Sequence, residues 1–290
     1  MDFRRVGLKL ALIFSHVALA VSFCVAIHAQ ASILDRLAGT DLWKHRPTKQ
    51  ELAQLQQLVG SAPKGFMMEP NPWHIWKLDR NRQTRYVVLL GEDLGIIPGG
   101  TSACVQLFDG TLKRYQSWPF QTGWRNILID ASVEHTTELG TDLLVIHTVK
   151  VINGRDIAKE YFAIGDDRLR LVRLEDSTGE IRQNEYVFPN YEIGTVPSAQ
   201  TIQGWTALLV SKDKSDVLSA LVFLGGRHLA EDRRLLLPEP HESKYAALFQ
   251  QLLSSQPVYS LIDQLSKSEN VWIRDAAALA ARGPRERPLD

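Results

Sequence analysis

Residues 142–164 read DLLVIHTVKVINGRDIAKEYFAI, and this stretch decides the fold. Two runs rich in β-branched and aromatic residues, Asp142–Val151 and Ile157–Ile164, flank the dipeptide Asn153-Gly154. Asn and Gly tolerate the positive backbone φ of a tight turn, so the pattern predicts a hairpin of two antiparallel strands. Leu143–Val151 is apolar on both alternating faces for much of its length, which favours a central strand covered on both sides.

Further turn signals divide the surrounding sequence in the same way. Asp109-Gly110 separates Ala103–Phe108 from Leu112–Trp118, and two more turn clusters follow later in the chain. Between about residues 85 and 188 these signals predict seven or eight strands in one antiparallel meander, either an open sheet or a partial barrel. In Leu169–Leu174 two arginines alternate with apolar residues, which predicts a strand with one face in water.

Helical spacing occurs on both sides of this β region. Thr48 and Glu51 have the spacing of a capping box, and leucines follow at helical period, which predicts an amphipathic helix over Lys49–Val59. The helical period returns after Pro197. The predicted C-terminal helices are Gln203–Leu209, Ser215–Leu224, Lys244–Leu253, Tyr259–Leu265 and Val271–Ala281.

The expected fold class is therefore α+β, an antiparallel β-meander followed by a short helical segment. We expect four regions along the chain. They are a signal peptide at residues 1–31, an N-terminal helix and connector at 32–72, a β domain at 73–197 and a helical segment at 198–290.

Met1–Ala31 has the three parts of a secretory signal peptide. A start with three basic residues is followed by an apolar run over residues 10–27 and by the small-x-small motif Ala29-Gln30-Ala31 before Ser32. The apolar run is also long enough to span a membrane, so a retained anchor is the alternative. We expect a cleaved leader and a mature protein in the periplasm or outside the cell.

Charge and cysteine content exclude several classes of protein. The leader carries three of the 33 Lys and Arg residues and one of the 33 Asp and Glu residues, so its removal leaves a net charge of −2. A nucleic-acid-binding protein needs a basic excess, so no nucleic-acid partner is expected. Cys104 is the only cysteine of the predicted mature chain, which excludes an intramolecular disulfide. No integral membrane span is expected after cleavage, and the oligomeric state is left open.

The C-terminal region resembles a known helical repeat. Leu261–Leu265, Ser268-Glu269-Asn270 and Val271–Leu279 resemble a HEAT-type repeat, whose second helix commonly carries a valine-arginine pair followed by small residues. Ile273-Arg274 stands at that pair, and Ser211–Gly225 is a fainter likeness without the arginine. Because a self-supporting stack needs at least three units, the resemblance implies helices that dock on the sheet or on each other and present an interaction surface.

The middle of the chain carries a second likeness. Pro98–Ser102, Phe120–Arg125 and Val151–Asp156 are similar to exported bacterial proteins that have no assigned function. The likeness implies export and no particular activity.

No group of residues predicts a catalytic centre, and no cofactor is expected. Gly100–Cys104 has part of the pattern of a nucleophile elbow, in which a strand-to-helix turn exposes a serine. A cysteine stands where the closing glycine belongs, however, and the following residues have the pattern of a strand. Cys104 lies among apolar residues, so we expect a buried, inert thiol.

A metal site is not expected either. Glu134, His135 and His147, with Asp130 nearby, come closest to a ligand set, and adjacent strands could bring the two histidines together. Scattered histidines of a sheet are more often surface or hydrogen-bonded residues.

Aromatic residues are the better candidates for binding. Trp73 and Trp76 precede the predicted sheet, whereas Trp118, Trp124 and Arg125 lie in a predicted loop within it, and the two groups could rim one groove. Aromatic rings stack on sugars and on peptide side chains, and an arginine recognises carboxylates. Core packing is the alternative role for the tryptophans.

These observations favour a non-catalytic exported protein that binds a protein or an envelope ligand. The first alternative is an exported hydrolase acting on an envelope polymer, in which Asp130, Glu134 and His135 converge in a cleft and two carboxylates divide the acid and base duties. The second alternative is a structural component of the envelope without a specific partner.

Overall fold

The computed structural model describes residues 33–42, 44–60, 71–80, 83–91, 102–121, 126–150, 159–165, 168–176, 178–181, 201–225, 251–252 and 254–282. These residues divide into two compact units, with the division between Pro119 and Phe120. The first unit contains α1, β1 to β3 and most of β4, and the second contains the remaining strands and helices.

The described strands form two antiparallel sheets of four strands each. The first sheet has the order β1-β2-β3-β4 and the second the order β5-β6-β7-β8. Each strand therefore pairs with its neighbours in sequence only inside its own sheet. The strands are β1 Asn71–Arg80, β2 Gln83–Gly91, β3 Ser102–Asp109, β4 Arg114–Gln121, β5 Asn126–Thr136, β6 Thr141–Lys150, β7 Lys159–Ile164 and β8 Leu169–Glu175.

The expected mixture of helices and antiparallel strands is confirmed, but the prediction of a single seven- or eight-strand meander or partial barrel is wrong. β4 ends at Gln121 and β5 begins at Asn126, yet the two strands belong to different sheets. Turn residues and alternation specify where a strand ends and which of its faces is buried. They do not specify whether the next strand pairs with it.

The first sheet begins earlier in the chain than predicted. Trp73 and Trp76 lie within β1 and not before the sheet. Pro72, which cannot donate to a strand ladder, stands next to a register shift between Pro72 and His74. The proline and the shift interrupt the alternation that would identify β1 from sequence.

The predicted central strand is confirmed in the described part of β6. This strand lies between β5 and β7, and the four consecutive residues Leu143–Ile146 are buried. The Asn153-Gly154 turn that was predicted to follow it lies outside the described residues.

The turn between β3 and β4 has a different conformation from the one that the dipeptide Asp109-Gly110 predicts. The carboxylate of Asp109 accepts hydrogen bonds from the backbone N–H groups of Thr111 (2.8 Å) and Lys113 (2.9 Å). The positive φ falls on Leu112, at 63°, and not on Gly110. The aspartate side chain therefore organises a longer loop, and a leucine adopts the conformation that glycine usually takes.

The described residues contain helices that confirm four of the five predicted C-terminal helices and the capped N-terminal helix. In the capping box, the Glu51 N–H donates to Thr48 Oγ1 (3.3 Å) and the Thr48 N–H donates to Glu51 Oε2 (2.9 Å). The predicted helix Lys244–Leu253 lies almost entirely outside the described residues. The helices are α1 Lys49–Val59, α2 Ile202–Leu209, α3 Lys214–Leu224, α4 Gln256–Leu265 and α5 Val271–Ala281.

Residues 33–37 form a helical turn inside the core of the first unit. Ile33, Leu34 and Leu37 are buried there with α1 and with one face of the first sheet. Burial of a side chain of this kind contributes about 1.5–3 kcal/mol. The segment that follows covers the outer edge of β1, because the Gly39 N–H donates to Ile75 O (2.8 Å) and the Leu42 N–H donates to Trp73 O (3.0 Å).

The described C-terminal helices share one hydrophobic core with one face of the second sheet, with α3 and α5 against the strands and α2 and α4 against those helices. Leu143, Val145 and Ala163 contribute to this core from the sheet side, and Trp205 stacks on Phe223 with a centroid distance of 4.5 Å. The turn between β5 and β6 is attached to the same layer, since Glu138 O accepts hydrogen bonds from Lys214 Nζ (2.6 Å) and Asn270 Nδ2 (3.0 Å). Glu138 O thereby links the hairpin to the N-terminal ends of α3 and α5.

The prediction that β8 has one face in water is wrong. The side chains of Arg170 and Arg173 are only 15% and 18% exposed, because α3 and α5 cover that face. Arg170 Nε donates to Asp216 on α3 at 2.7 Å. An arginine in a strand can thus face a protein layer when that layer supplies a carboxylate.

The contact between Trp73 and Gly91 provides a test of the first sheet. A Cβ atom on Gly91 would lie 2.0 Å from the Trp73 ring, so we expect Gly91→Ala to lower the free energy of unfolding by about 2–3 kcal/mol. Gly110→Ala is the control, since the added atom would contact Thr84 at an ordinary 3.4 Å and should cost less than about 1 kcal/mol. Urea unfolding of both variants measures the difference, and equal midpoints would contradict the packing described here.

Candidate binding surface

Of the two tryptophans on β1, only Trp76 reaches solvent. Trp73 is 4% exposed and packs on Gly91, so its role is core packing. Trp76 is partly buried and stacks on His74 with a centroid distance of 5.2 Å and an interplanar angle of 19°. The rings of Trp73 and Trp76 therefore do not form a shared binding face.

The second predicted aromatic group lies outside what the structure describes. The backbone of Trp118 belongs to β4, but its side chain is outside the described part of the chain, as are Trp124 and Arg125 altogether. The groove that these residues were predicted to rim stays a prediction.

The register of β5 and β6 separates the histidines that were considered as metal ligands. His135 pairs with Asp142, whereas His147 pairs with Asp130 five positions farther along the hairpin, a separation of about 17 Å. His135 Nδ1 lies 2.7 Å from Asp142 Oδ1, which is a pair and not a ligand set. No group of three or more metal-ligating side chains occurs among the described residues.

The carboxylates of the alternative hydrolase do not form a catalytic pair. Asp130 and Glu134 are both exposed and four residues apart on β5, which places their backbones about 13 Å apart. Each carboxylate has a local partner, the Ala131 N–H for Asp130 (2.8 Å) and the Ser132 hydroxyl for Glu134 (3.1 Å). Glycosidase carboxylates flank one bond at about 5–9.5 Å. This strand therefore does not provide that geometry.

Cys104 is fully buried in β3, as predicted. Its thiol donates to Val105 O at 3.8 Å. Ser102 belongs to the same strand, so the turn from strand into helix that a nucleophile elbow requires does not follow it.

A cluster that sequence reasoning missed lies between β8 and α5. The Arg173 guanidinium lies over the Trp272 ring, 4.8 Å from its centroid, and Arg173 Nε donates to Glu175 Oε1 at 2.6 Å. Tyr161 donates to Glu175 Oε2 at 2.7 Å and meets Trp272 edge to face at 5.6 Å. Four side chains from two strands and one helix thus support one another.

The protonation states of this cluster suit binding and not proton transfer. Burial, followed by the hydrogen bond to Glu175, raises the pKa of Tyr161 above its ordinary value. The tyrosine therefore stays a neutral donor at physiological pH. The Arg173 charge is balanced by Glu175, so the cluster has a fixed geometry and little net charge.

A small apolar cleft opens beside Trp272. Its volume is about 20 Å³, enough for about one water molecule or one methyl-sized group. Pockets for whole small molecules are about 300–1,000 Å³, so this cleft fits part of a side chain. Arg173 and Trp272 lie at the cleft, whose lining includes Ile181, Leu221, Val222 and Leu279.

Neither sequence pattern nor spacing pointed to this cluster. Arg173 was assigned to a solvent-facing strand and Trp272 to a repeat-like helix, and 98 residues separate them in the chain. A tryptophan at the second position of a helix that begins with Asn270 as its N-cap was the only available signal.

Glu160 is a second notable group, on β7. It pairs with Ile146 and Leu174, both buried, and is itself partly buried. This desolvation raises the pKa of Glu160 to about 7. Ionisation of Glu160 therefore opposes folding at neutral pH.

Comparison with known proteins adds no assignment. No protein-family model matches the chain, and no curated protein and no solved structure gives a significant match. Function must be inferred from the residues themselves.

Glu160 predicts a particular dependence of stability on pH. In the folded state the pKa of Glu160 is raised above the ordinary value of 4.5. The contribution of the protonated carboxyl group to stability is therefore complete below pH 4.5 and is lost as the pH rises through 7. We expect Glu160→Gln to be more stable than the native chain by up to about 3 kcal/mol at pH 8 and by little at pH 4. Denaturant unfolding at the two pH values measures this difference.

Glu134→Gln is the matched control for Glu160→Gln, because Glu134 is an exposed carboxylate in the same sheet. It should change stability by less than about 0.5 kcal/mol at either pH. A Glu160→Gln effect that is the same at pH 4 and pH 8 would contradict the assignment.

Proposed function

We propose that the protein is an exported, non-catalytic binding protein whose C-terminal helices carry the interaction surface. The observation that carries the proposal is the cleft beside Trp272, where an aromatic ring and an arginine are held in place next to an apolar opening. Tryptophan and arginine are the residues most enriched among those that dominate binding at protein interfaces. The cleft lies within one unit of the chain and has room for the end of a side chain.

The size of the cleft favours a protein partner over a small molecule. An opening of about 20 Å³ accepts the end of one apolar side chain, whereas a sugar or a cofactor requires far more volume. The charge of Arg173 is already paired with that of Glu175. We propose that the partner inserts an apolar side chain beside Trp272 and contacts the helices around it.

The resemblance of α4 and α5 to a HEAT-type repeat supports the same surface. These helices pack against each other, with Ile273 buried and Arg274 on the exposed side. Repeats of this type are usually interaction surfaces. We propose that α5 is the central element of the interface.

Export is the second part of the proposal, and the leader sequence supports it. Met1–Ala31 combines a basic start, an apolar run and a small-x-small motif. None of the helices in the described part of the chain is long and apolar enough to cross a membrane. We propose that the leader is cleaved and that the mature chain works in the periplasm or outside the cell.

Site-specific photo-crosslinking in living cells tests the proposed interface. A benzophenone amino acid at Leu279, which lines the cleft, should give a discrete adduct with an envelope protein. The same group at Val210, which is 61% exposed in the same unit, should give none. No adduct at 279, or the same adduct at both positions, would count against the proposal.

A second variant connects the adduct to the cleft. Val222→Arg places a charge at the partly exposed wall of the cleft and should reduce the adduct at 279 about tenfold. Thermal unfolding should show that this variant stays folded. An undiminished adduct would mean that the partner binds elsewhere.

A further inference from the structure

The first described residues of the chain are anchored in the core of the first unit. Ile33 and Leu34 are 1% and 0% exposed, and the helical turn that they begin is held by polar contacts as well. Asp35 accepts hydrogen bonds from the Tyr86 hydroxyl (2.9 Å) and from Lys77 Nζ (2.9 Å). Both partners lie on strands of the first sheet.

The electrostatics of Asp35 strengthen this attachment. The hydrogen bond from Lys77 is the largest influence, and with Tyr86 it holds the pKa of Asp35 below its ordinary value despite partial desolvation. Burial and the carboxylate raise the pKa of Tyr86 to about 12. Asp35 is therefore ionised, and Tyr86 protonated, at every physiological pH.

The proposed cleavage site lies directly before this anchored segment. Only Ser32 separates the bond after Ala31 from Ile33, and one residue spans at most about 3.6 Å. A protease binds several residues on both sides of the cleaved bond in extended form, so the residues after Ser32 must leave the core to enter its active site. Ile33, Leu34 and Asp35 make that departure unfavourable in the folded unit.

We propose that the leader is removed before the first unit folds, so that the folded precursor is a poor substrate for the leader peptidase. In the cleavage step, water adds across the Ala31–Ser32 peptide bond and leaves a carboxylate on Ala31 and an amine on Ser32. The residues from Ile33 onward then dock and close the core. This inference rests on the proposed export and adds the order of its steps.

The test compares one substrate in two states. Full-length precursor in detergent micelles is treated with purified bacterial leader peptidase, either after folding or immediately after dilution from urea. Mass spectrometry measures the release of residues 1–31. We expect the folded precursor to be cleaved at least about 100-fold more slowly than the freshly diluted one.

Two variants assign the slow cleavage to the docked segment. Six Gly and Ser residues inserted between Ser32 and Ile33 add about 20 Å of reach, so the folded spacer variant should be cleaved as fast as the unfolded chain. The double variant Lys77→Met/Tyr86→Phe removes both contacts to Asp35 and should accelerate cleavage of the folded precursor about tenfold. Lys267→Met, which removes an exposed ion pair in the second unit, is the control and should change nothing.

The outcomes separate this inference from the export proposal. Equal cleavage rates for folded and unfolded precursor, or a spacer variant as slow as the native one, would overturn the proposed order of steps. If neither state is cleaved after Ala31 and exported protein begins at Met1, the cleaved leader is itself wrong. Slow cleavage of the folded precursor, together with fast cleavage of the unfolded precursor and of the folded spacer variant, supports both the export proposal and the proposed order of steps.

Discussion

A charged side chain between two protein layers must find a partner there, and this constraint positions the helices on the second sheet. Arg170 and Arg173 lie on the face of β8 that α3 and α5 cover. Apolar contacts such as those around Leu143 hold the layers together but accept many small shifts. The pairing of Arg170 with Asp216 and the stacking of Arg173 on Trp272 tolerate few such shifts, because hydrogen bonds and ring contacts weaken quickly with displacement.

The same constraint explains why the cleft beside Trp272 exists. Arg173 and Tyr161 contact the Trp272 ring from the sheet side and hold it in position beside the cleft. The gap that remains beside it is lined by α3 and α5. A structural interaction thus creates the surface that we propose for binding.

Elements whose signals are local were predictable from sequence, and those that depend on distant partners were not. The capping box of Thr48 and Glu51 and the helix that begins after Asn270 are specified by side chains within one turn, and both helices have the predicted bounds. The division of the strands into two sheets has no local signal. The contact between Arg173 and Trp272 has no local signal either. The burial of Trp73 against Gly91 is equally non-local, and for this reason the sequence pointed to Trp73 as a binding residue. The sequence around a single tryptophan does not distinguish a ring buried in a core from a ring at an interface.

The strip of chain over residues 39–42 has a further consequence for the life of the protein. It occupies the backbone groups of β1 that would otherwise face outward. An unpaired edge strand can pair with strands of other chains and so start aggregation. A newly made molecule is therefore most prone to aggregate in the interval before its own residues 39–42 have paired with β1.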